Sequence, residues 1–210
     1  MKKRSSSSHK WLKRARDDIY TKMAKKDGYR SRAVYKLEEI QNKYKIIRPN
    51  MKIVDLGASP GGWSQYVRKL IKGNGSIVAL DILPMEPIAG VNFICGDFTE
   101  QETLDLLVEQ LSEGKVDLVI SDMAPNFSGI RAADHTRAVY LIELALDFVK
   151  QMLSDEGSFL VKAFQGEGID VYIKELKECF SELYTIKPKA SRSESAEVYL
   201  LARKFRHKRK

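Results

Sequence analysis

Short apolar runs alternate with longer amphipathic stretches along most of the chain. Apolar runs bounded by turn residues predict buried strands, and apolar positions three and four residues apart predict helices. We therefore predict strands at 52–56, 76–81, 91–95, 116–122, 157–163, 182–187 and 196–203. Helices are predicted at 10–24, 30–44, 61–72, 101–112, 134–153 and 168–180.

From residue 52 onward the predicted strands and helices alternate, apart from the successive strands at 76–81 and 91–95 and the last two strands. Such alternation indicates an α/β fold, a Rossmann-like arrangement in which a mostly parallel seven-stranded sheet carries helices on both faces. The last two strands have no helix between them, so we expect an antiparallel hairpin that places an antiparallel strand at the sheet edge. Ligands of such sheets bind at the carboxyl ends of the strands.

The chain has 210 residues, which is the size of one domain. We expect a basic N-terminal arm and helix over residues 1–30, partly disordered, then a single domain over 31–203 and a basic tail over 204–210. The N-terminus has no apolar segment like that of a secretory signal, and no apolar run is long enough to cross a bilayer. These features predict a cytoplasmic protein.

Positive charge is concentrated at the two ends of the chain. Residues 1–36 contain 13 Lys and Arg against 3 acids, and residues 203–210 contain 6 Lys and Arg and no acid. The remainder contains 17 basic and 25 acidic residues. Because Lys and Arg neutralise phosphates and release counterions, this distribution favours a nucleic-acid partner over the alternative of a merely solvated tail and helix face.

The cysteines and histidines predict neither a disulfide bond nor a metal site. Cys95 and Cys179 are isolated and far apart, which is typical of two reduced, buried thiols. The three histidines are scattered along the chain without the spacing of metal ligands.

The segment Ile53 to Trp63, I-V-D-L-G-A-S-P-G-G-W, joins a predicted strand to a predicted helix. Gly57, Gly61 and Gly62 allow a tight turn and close approach of a ligand to the backbone. The pattern lacks the G-x-G-x-x-G of dinucleotide sites and the G-K-[ST] of P-loops. It resembles the first motif of S-adenosylmethionine-dependent methyltransferases, although a plain strand-to-helix loop is the alternative.

Three aspartates follow strands that end beside this turn: Asp81, Asp97 and Asp122. A lone aspartate at a strand end is usually a cap or turn residue. Three of them near one glycine turn favour contacts with a ligand. Asp81 is suited to the two hydroxyls of a ribose and Asp97 to the amino group of an adenine.

Lys162 ends the apolar run of the fifth strand and faces the same crevice. Partial burial would favour the neutral amine, which can act as a base. Alternatively, the side chain extends from the strand end into water. The residues around Lys162 do not decide between these interpretations.

Four segments together resemble the FtsJ-type ribose 2′-O-methyltransferases, and with the glycine turn the likeness covers nearly the whole chain. They are S-R-A-V-Y-K-L around Lys36, S-D-M-A-P-N around Asp122, V-K-A-F-Q-G around Lys162 and S-A-E-V-Y-L around Glu197. The resemblance implies that Lys36, Asp122, Lys162 and Glu197 form a catalytic tetrad. It implies cofactor contacts from Gly57, Gly61, Trp63, Asp81, Asp97 and Asp122.

The resemblance extends to the large-subunit ribosomal RNA members of that family, the methyltransferase E group, in length and in the basic arm. It implies transfer of a methyl group from S-adenosylmethionine to the ribose 2′-hydroxyl of a uridine in 23S ribosomal RNA. The partner would be the large (50S) subunit, and the enzyme would be a monomer without a metal. The alternatives are the same chemistry on transfer RNA or an mRNA cap, and a non-catalytic RNA-binding ribosome assembly factor.

Overall fold

The computed structural model describes residues 19–111, 114–126, 128–192 and 195–207. The helices of these residues are α1 (19–26), α2 (Val34–Tyr44), α3 (Gly62–Leu70), α4 (Gln101–Gln110), α5 (Arg131–Met152) and α6 (Ile169–Cys179). The strands are β1 (Lys52–Leu56), β2 (Ser76–Asp81), β3 (Asn92–Cys95), β4 (Val116–Ser121), β5 (Leu153–Phe164), β6 (Phe180–Ile186) and β7 (Glu197–Phe205). Most of the predicted first helix and basic arm, and the last three residues of the tail, lie outside the described residues.

The seven strands form one sheet in the order β3-β2-β1-β4-β5-β7-β6. The pairs from β3 to β5 are parallel, and β7 runs antiparallel to both β5 and β6. The predicted α/β fold class, a mostly parallel seven-stranded sheet with an antiparallel hairpin at one edge, is therefore confirmed. The antiparallel strand β7 lies just inside one edge, where β6 is the outermost strand, and β3 forms the other edge.

The sheet lies between two apolar layers because the side chains of a strand alternate between its two faces. On one face, α4, α5 and α6 cover residues such as Phe159 and Val161 of β5. On the other face, α1, α2 and α3 cover residues such as Leu160 of β5 and Tyr199 of β7. None of the described helices combines the length and the apolar character needed to cross a lipid bilayer.

Most element boundaries differ from the sequence prediction by one to a few residues, and three of these differences bear on the sheet or the site. Strand β5 begins at Leu153, directly after α5, and not at residue 157. Its opening residues, L-S-D-E-G, are mostly polar and so carry no apolar strand signal. Strand β4 ends at Ser121, which leaves Asp122 just beyond the sheet, and α2 begins at Val34 because residues 31–33 form a turn.

The two cysteines form no disulfide bond, and their surroundings differ. Cys179 is buried at the end of α6. Cys95 is exposed, so the prediction that both thiols are buried is wrong for this residue. The reason is that Cys95 ends β3, the edge strand, where fewer neighbours cover the side chains.

The turn after β1 requires glycine at two positions. Gly57 has a φ of +77°, and a Cβ there would lie 2.8 Å from the backbone nitrogen of Met123. Gly61 has a φ of +107° and caps the N-terminus of α3. The loops that follow β2 and β4 therefore approach this turn more closely than a side chain would permit.

Asp55 anchors the strand before this turn to the helix after it. Its Oδ2 accepts a hydrogen bond of 2.6 Å from the hydroxyl of Ser64 in α3. Its Oδ1 is buried and accepts no hydrogen bond from the described residues. Burial, which outweighs the Ser64 hydrogen bond, raises the pKa of the Asp55 carboxyl to about 7.

We predict that Asp55→Asn stabilises the fold above neutral pH. The raised pKa means that the folded chain keeps a proton which the unfolded chain has already lost between about pH 4 and 7, so wild-type stability falls across that window. The free energy of unfolding of the variant, relative to wild type, should rise by about 2–3 kcal/mol from pH 5 to pH 8. Urea denaturation at both pH values measures this difference, and a pH-independent difference would contradict the assignment.

Candidate functional site

A cavity of about 620 Å³ opens at the carboxyl ends of β1 to β4. Of the predicted site residues, Gly57, Asp81, Asp97 and Asp122 line it. The volume is in the range of small-molecule and cofactor sites. The structure thus brings together four residues that are separated by up to 65 positions in the sequence because their strands end at the same edge of the sheet.

Asp81 and Asp97 are oriented by main-chain amides. The Asp81 oxygens accept from the amides of Ser59 and Leu83, at 2.9 Å and 2.8 Å. Oδ1 of Asp97 accepts from the amide of Thr99 at 2.9 Å and from its hydroxyl at 2.8 Å. An ionised carboxylate has about four acceptor positions, so both retain the capacity to bind hydroxyl or amino groups in the cavity.

Gly61 and Trp63 are not among the residues that line the cavity. The side chain of Trp63 is buried, and its indole nitrogen donates to the carbonyl oxygen of Ala33 at 2.8 Å. Gly61 and Trp63 contribute backbone atoms to the turn, at the N-terminus of α3. First-turn N–H groups such as that of Trp63 have no partner within a helix and can bind an anionic group, whereas the N–H of Gly61 donates to the carbonyl oxygen of Ala58 at 2.7 Å.

The four residues of the predicted tetrad form two ion pairs, in which Lys162 is buried and the other three side chains are mostly buried. Nζ of Lys36, on α2, lies 2.8 Å from a carboxylate oxygen of Glu197, at the start of β7. Nζ of Lys162, at the end of β5, lies 3.0 Å from Oδ1 of Asp122 and also donates to the Asp122 carbonyl oxygen. All four side chains are less than one fifth exposed.

The pairing of β5 with β7 brings the two ion pairs together. Lys162 is opposite Tyr199, and Phe164 is opposite Glu197. Because side chains two positions apart share a face, Glu197, Tyr199 and Lys162 all point to the side of the sheet that α2 and α3 cover. Lys36 reaches the same place from α2.

Tyr199 joins the two ion pairs and was missed by the sequence analysis. Its hydroxyl donates to Oδ1 of Asp122 at 2.5 Å and accepts from Nζ of Lys36 at 3.2 Å. Burial, and next the charge of Asp122, raise the pKa of Tyr199 well above its ordinary value. The available signal was its position two residues after Glu197 on the same strand face.

Two further residues that the sequence analysis did not single out stabilise the surrounding loops. The hydroxyl of Ser191 donates to Glu197 at 2.7 Å. Asp134, in the first turn of α5, accepts from the amide and hydroxyl of Ser128 and from the amide of Gly129. The bond from the Ser128 amide is the largest of the effects that lower the pKa of Asp134. The loop after β4, which contributes Met123 to the cavity wall, is thereby tied to α5.

Asp122 belongs to both parts of this site. It lines the cavity and it also pairs with Lys162 and Tyr199. A group bound in the cavity would therefore lie beside two lysines, two carboxylates and a phenol. Such side chains can orient a hydroxyl, stabilise charge and move a proton.

Comparison with known proteins agrees with this geometry. The model of the FtsJ-like methyltransferase family matches residues 29–205. A Plasmodium falciparum protein of known structure, assigned as a ribosomal RNA methyltransferase, is 31% identical, with a TM-score of 0.77 over 86% of this chain and 100% of the other.

Two more distant structures share the fold. An assigned rRNA methylase from Clostridium thermocellum is 14% identical, with a TM-score of 0.56 over 81% of this chain and 97% of the other. The MycE methyltransferase of the mycinamycin biosynthetic pathway, solved with Mg and SAH, is 14% identical, with a TM-score of 0.55 over 90% of this chain and 49% of the other. With the family model matching most of its length, the chain belongs to the FtsJ-like methyltransferase family.

Proposed function

We propose that this methyltransferase transfers a methyl group from S-adenosylmethionine to the ribose 2′-hydroxyl of a uridine in 23S ribosomal RNA of the large subunit. The observation that carries the proposal is the double role of Asp122, which joins a nucleoside-sized cavity to a pair of buried lysines. Within its family the protein would belong to the methyltransferase E group. It would act in the cytoplasm as a monomer.

The residues of the cavity fit S-adenosylmethionine. Asp81 retains acceptor positions for the two ribose hydroxyls, and Asp97 retains them for the adenine amino group. The backbone of Gly57 borders the cavity, and the first-turn amide of Trp63 suits the carboxylate of the methionine part. Gly61 contributes by its lack of a side chain, since its amide already donates to the carbonyl oxygen of Ala58 at 2.7 Å. When bound there, the cofactor supplies an electrophilic methyl group on a positively charged sulfur.

The tetrad fits the acceptor hydroxyl. A ribose 2′-hydroxyl is a weak acid, so a positioned base assists its attack. Lys162, in its neutral amine form, accepts the hydroxyl proton, and Lys36 orients the ribose. Asp122 and Glu197 hold the two amine groups in place, at 3.0 Å and 2.8 Å.

The ribosomal substrate is supported by two observations. The basic residues of this chain are concentrated at its two ends, as a protein that contacts many phosphates requires. The 31%-identical Plasmodium falciparum structure is assigned as a ribosomal RNA methyltransferase. Transfer RNA and the mRNA cap present the same ribose chemistry and are therefore the substrates to test against it.

We predict that Lys162→Ala abolishes methyl transfer and retains cofactor binding. Loss of a positioned proton acceptor typically lowers the rate by about 10²–10⁴-fold. Single-turnover methylation assays and calorimetry with S-adenosylhomocysteine measure the two properties. Lys150→Ala is the control, because Lys150 is also ion-paired but lies on α5, paired with Asp147 and Glu175 outside the cavity lining. Retained activity in Lys162→Ala would disprove the role.

Lys162→Arg separates two ways in which this lysine could contribute. An arginine keeps the positive charge beside Asp122 but does not release its proton at ordinary pH. We expect Lys162→Arg to be as inactive as the alanine variant, because the proposal makes Lys162 a base. Substantial activity in the arginine variant would show that Lys162 acts as an electrostatic anchor.

We predict that Tyr199→Phe lowers kcat by about tenfold or more, because the bond that the phenol donates to Asp122 and the bond that it accepts from Lys36 are both lost. Affinity for S-adenosylhomocysteine should change little, since Tyr199 does not line the cavity. Tyr184→Phe is the matched control, as its hydroxyl donates to Glu182 on the outermost strand. Equal kcat values for the Tyr199 variant and wild type would show that the phenol does not position the lysines.

Mass-spectrometric mapping of ribose methylation tests the RNA substrate. Ribosomal RNA from cells without the gene should lack one 2′-O-methyluridine of 23S RNA that is present in cells with it. In vitro, the purified protein should methylate 50S subunits from the deficient cells and not transfer RNA or capped mRNA. Unchanged ribosomal RNA would overturn the ribosomal assignment without affecting the assignment to the family.

A further inference from the structure

The side chain of Arg30 connects two loops that border the cofactor turn. Its guanidinium donates to the carbonyl oxygens of Pro60, at 3.3 Å, and of Pro87, at 2.9 Å, and also to that of Glu86. Pro60 belongs to the glycine turn before α3, and the other two lie between β2 and β3. One side chain therefore holds these loops together through three main-chain carbonyls.

The backbone around Arg30 is itself held on α3. The amide of Arg30 donates to the side-chain oxygen of Gln65 at 2.9 Å, and the amide group of Gln65 donates to the carbonyl of Gly28 at 3.4 Å. A Cβ at Gly61 would lie 3.1 Å from Nη1 of Arg30. The guanidinium of Arg30 therefore lies against Gly61, which has no side chain, and the backbone of Arg30 is held by Gln65.

The loop that Arg30 holds forms one wall of the cavity. Residues 82–90 connect β2 to β3 without helix or strand. Ile82 and Leu83 line the cavity, and these large apolar residues are 55% and 60% exposed. Exposed apolar side chains on a cavity wall are suited to contact with a bound apolar surface such as a purine ring. The width of this part of the cavity depends on where residues 82–90 lie.

We propose that Arg30 is a positioning residue for the cofactor, which holds the 82–90 loop against the nucleoside part of S-adenosylmethionine. The inference rests on the proposed function. Arg30 lies in the strongly basic N-terminal segment, where a positive charge would ordinarily suggest a phosphate contact. Three of its five N–H donors are instead directed at main-chain carbonyls. These contacts require the planar guanidinium group with its fixed N–H directions, and not only its positive charge.

Calorimetry with S-adenosylhomocysteine in the absence of RNA tests the proposal. We expect Arg30→Met to raise the Kd by about tenfold, because the loop must be ordered again at each binding event. Arg30→Lys should restore little, since an ammonium cannot reproduce the fork. Arg206→Met is the matched control. Arg206 donates to the carbonyls of Lys177 and Phe180, beside the C-terminal end of β7, whereas Glu197 lies at the start of that strand. The Kd of Arg206→Met should equal that of wild type.

Hydrogen exchange distinguishes a local loosening of the loop between β2 and β3 from a general loss of stability. In Arg30→Met, amides of residues 82–91 should exchange faster than in wild type, while those of β4 and β5 should be unchanged. RNA affinity, measured by filter binding, should stay within about twofold of the wild-type value. The reason is that the substitution does not remove a contact with a phosphate.

Each other outcome has a distinct meaning. An unchanged Kd for S-adenosylhomocysteine in Arg30→Met, with weakened RNA binding, would make Arg30 a phosphate contact and overturn the inference. The inference would also be overturned if Arg30→Lys bound the cofactor as tightly as wild type does. Failure of the wild-type protein to bind S-adenosylhomocysteine would instead refute the proposed function itself.

Discussion

Two lysine side chains lie largely out of water at this site, and each has a carboxylate within about 3 Å. Burial of an unpaired amine group is costly, so without these carboxylates the lysines would turn outward into water. Lys36 pairs with Glu197, Lys162 pairs with Asp122, and the hydroxyl of Tyr199 hydrogen-bonds to a member of each pair. The positions of α2, β4, β5 and β7 relative to one another are all constrained by this network, since each contributes or precedes one of its members.

The site separates cofactor binding from acceptor positioning in the fold. The parallel half of the sheet supplies the cavity, in which main-chain amides orient Asp81 and Asp97. The hairpin half supplies Glu197 and Tyr199, which approach from a strand of opposite direction. Asp122, one residue beyond β4 at the centre of the sheet, is the contact between the two halves.

Much of this arrangement could be predicted from the sequence, because strand ends in an α/β sheet are marked by apolar runs that stop at polar residues. Asp81, Asp97 and Asp122 were found in this way, and the structure places them around one cavity. Tyr199 was not singled out: its position two residues after Glu197 put it on the same strand face, but an aromatic residue in V-Y-L is equally consistent with a core position. For Arg30 the sequence shows only a positive charge. Its partners are main-chain carbonyl groups, and a pattern of side chains does not reveal such contacts. The early start of β5 was missed because its first residues are mostly polar and irregularly paired: Leu153 is opposite Val116, and the pairing with β4 resumes only at Ser158.

The pairing of Lys162 with Tyr199 also limits how the length of such a chain can vary during evolution. Side chains on β7 alternate, so one residue added between Glu197 and Tyr199 would place these two side chains on opposite faces of the sheet. One of them would then point into the apolar layer beneath α5 and α6. Insertions and deletions should therefore be tolerated in the connection between β6 and β7, where the pairing is not disturbed, while single-residue length changes inside β5 or β7 would be eliminated by selection.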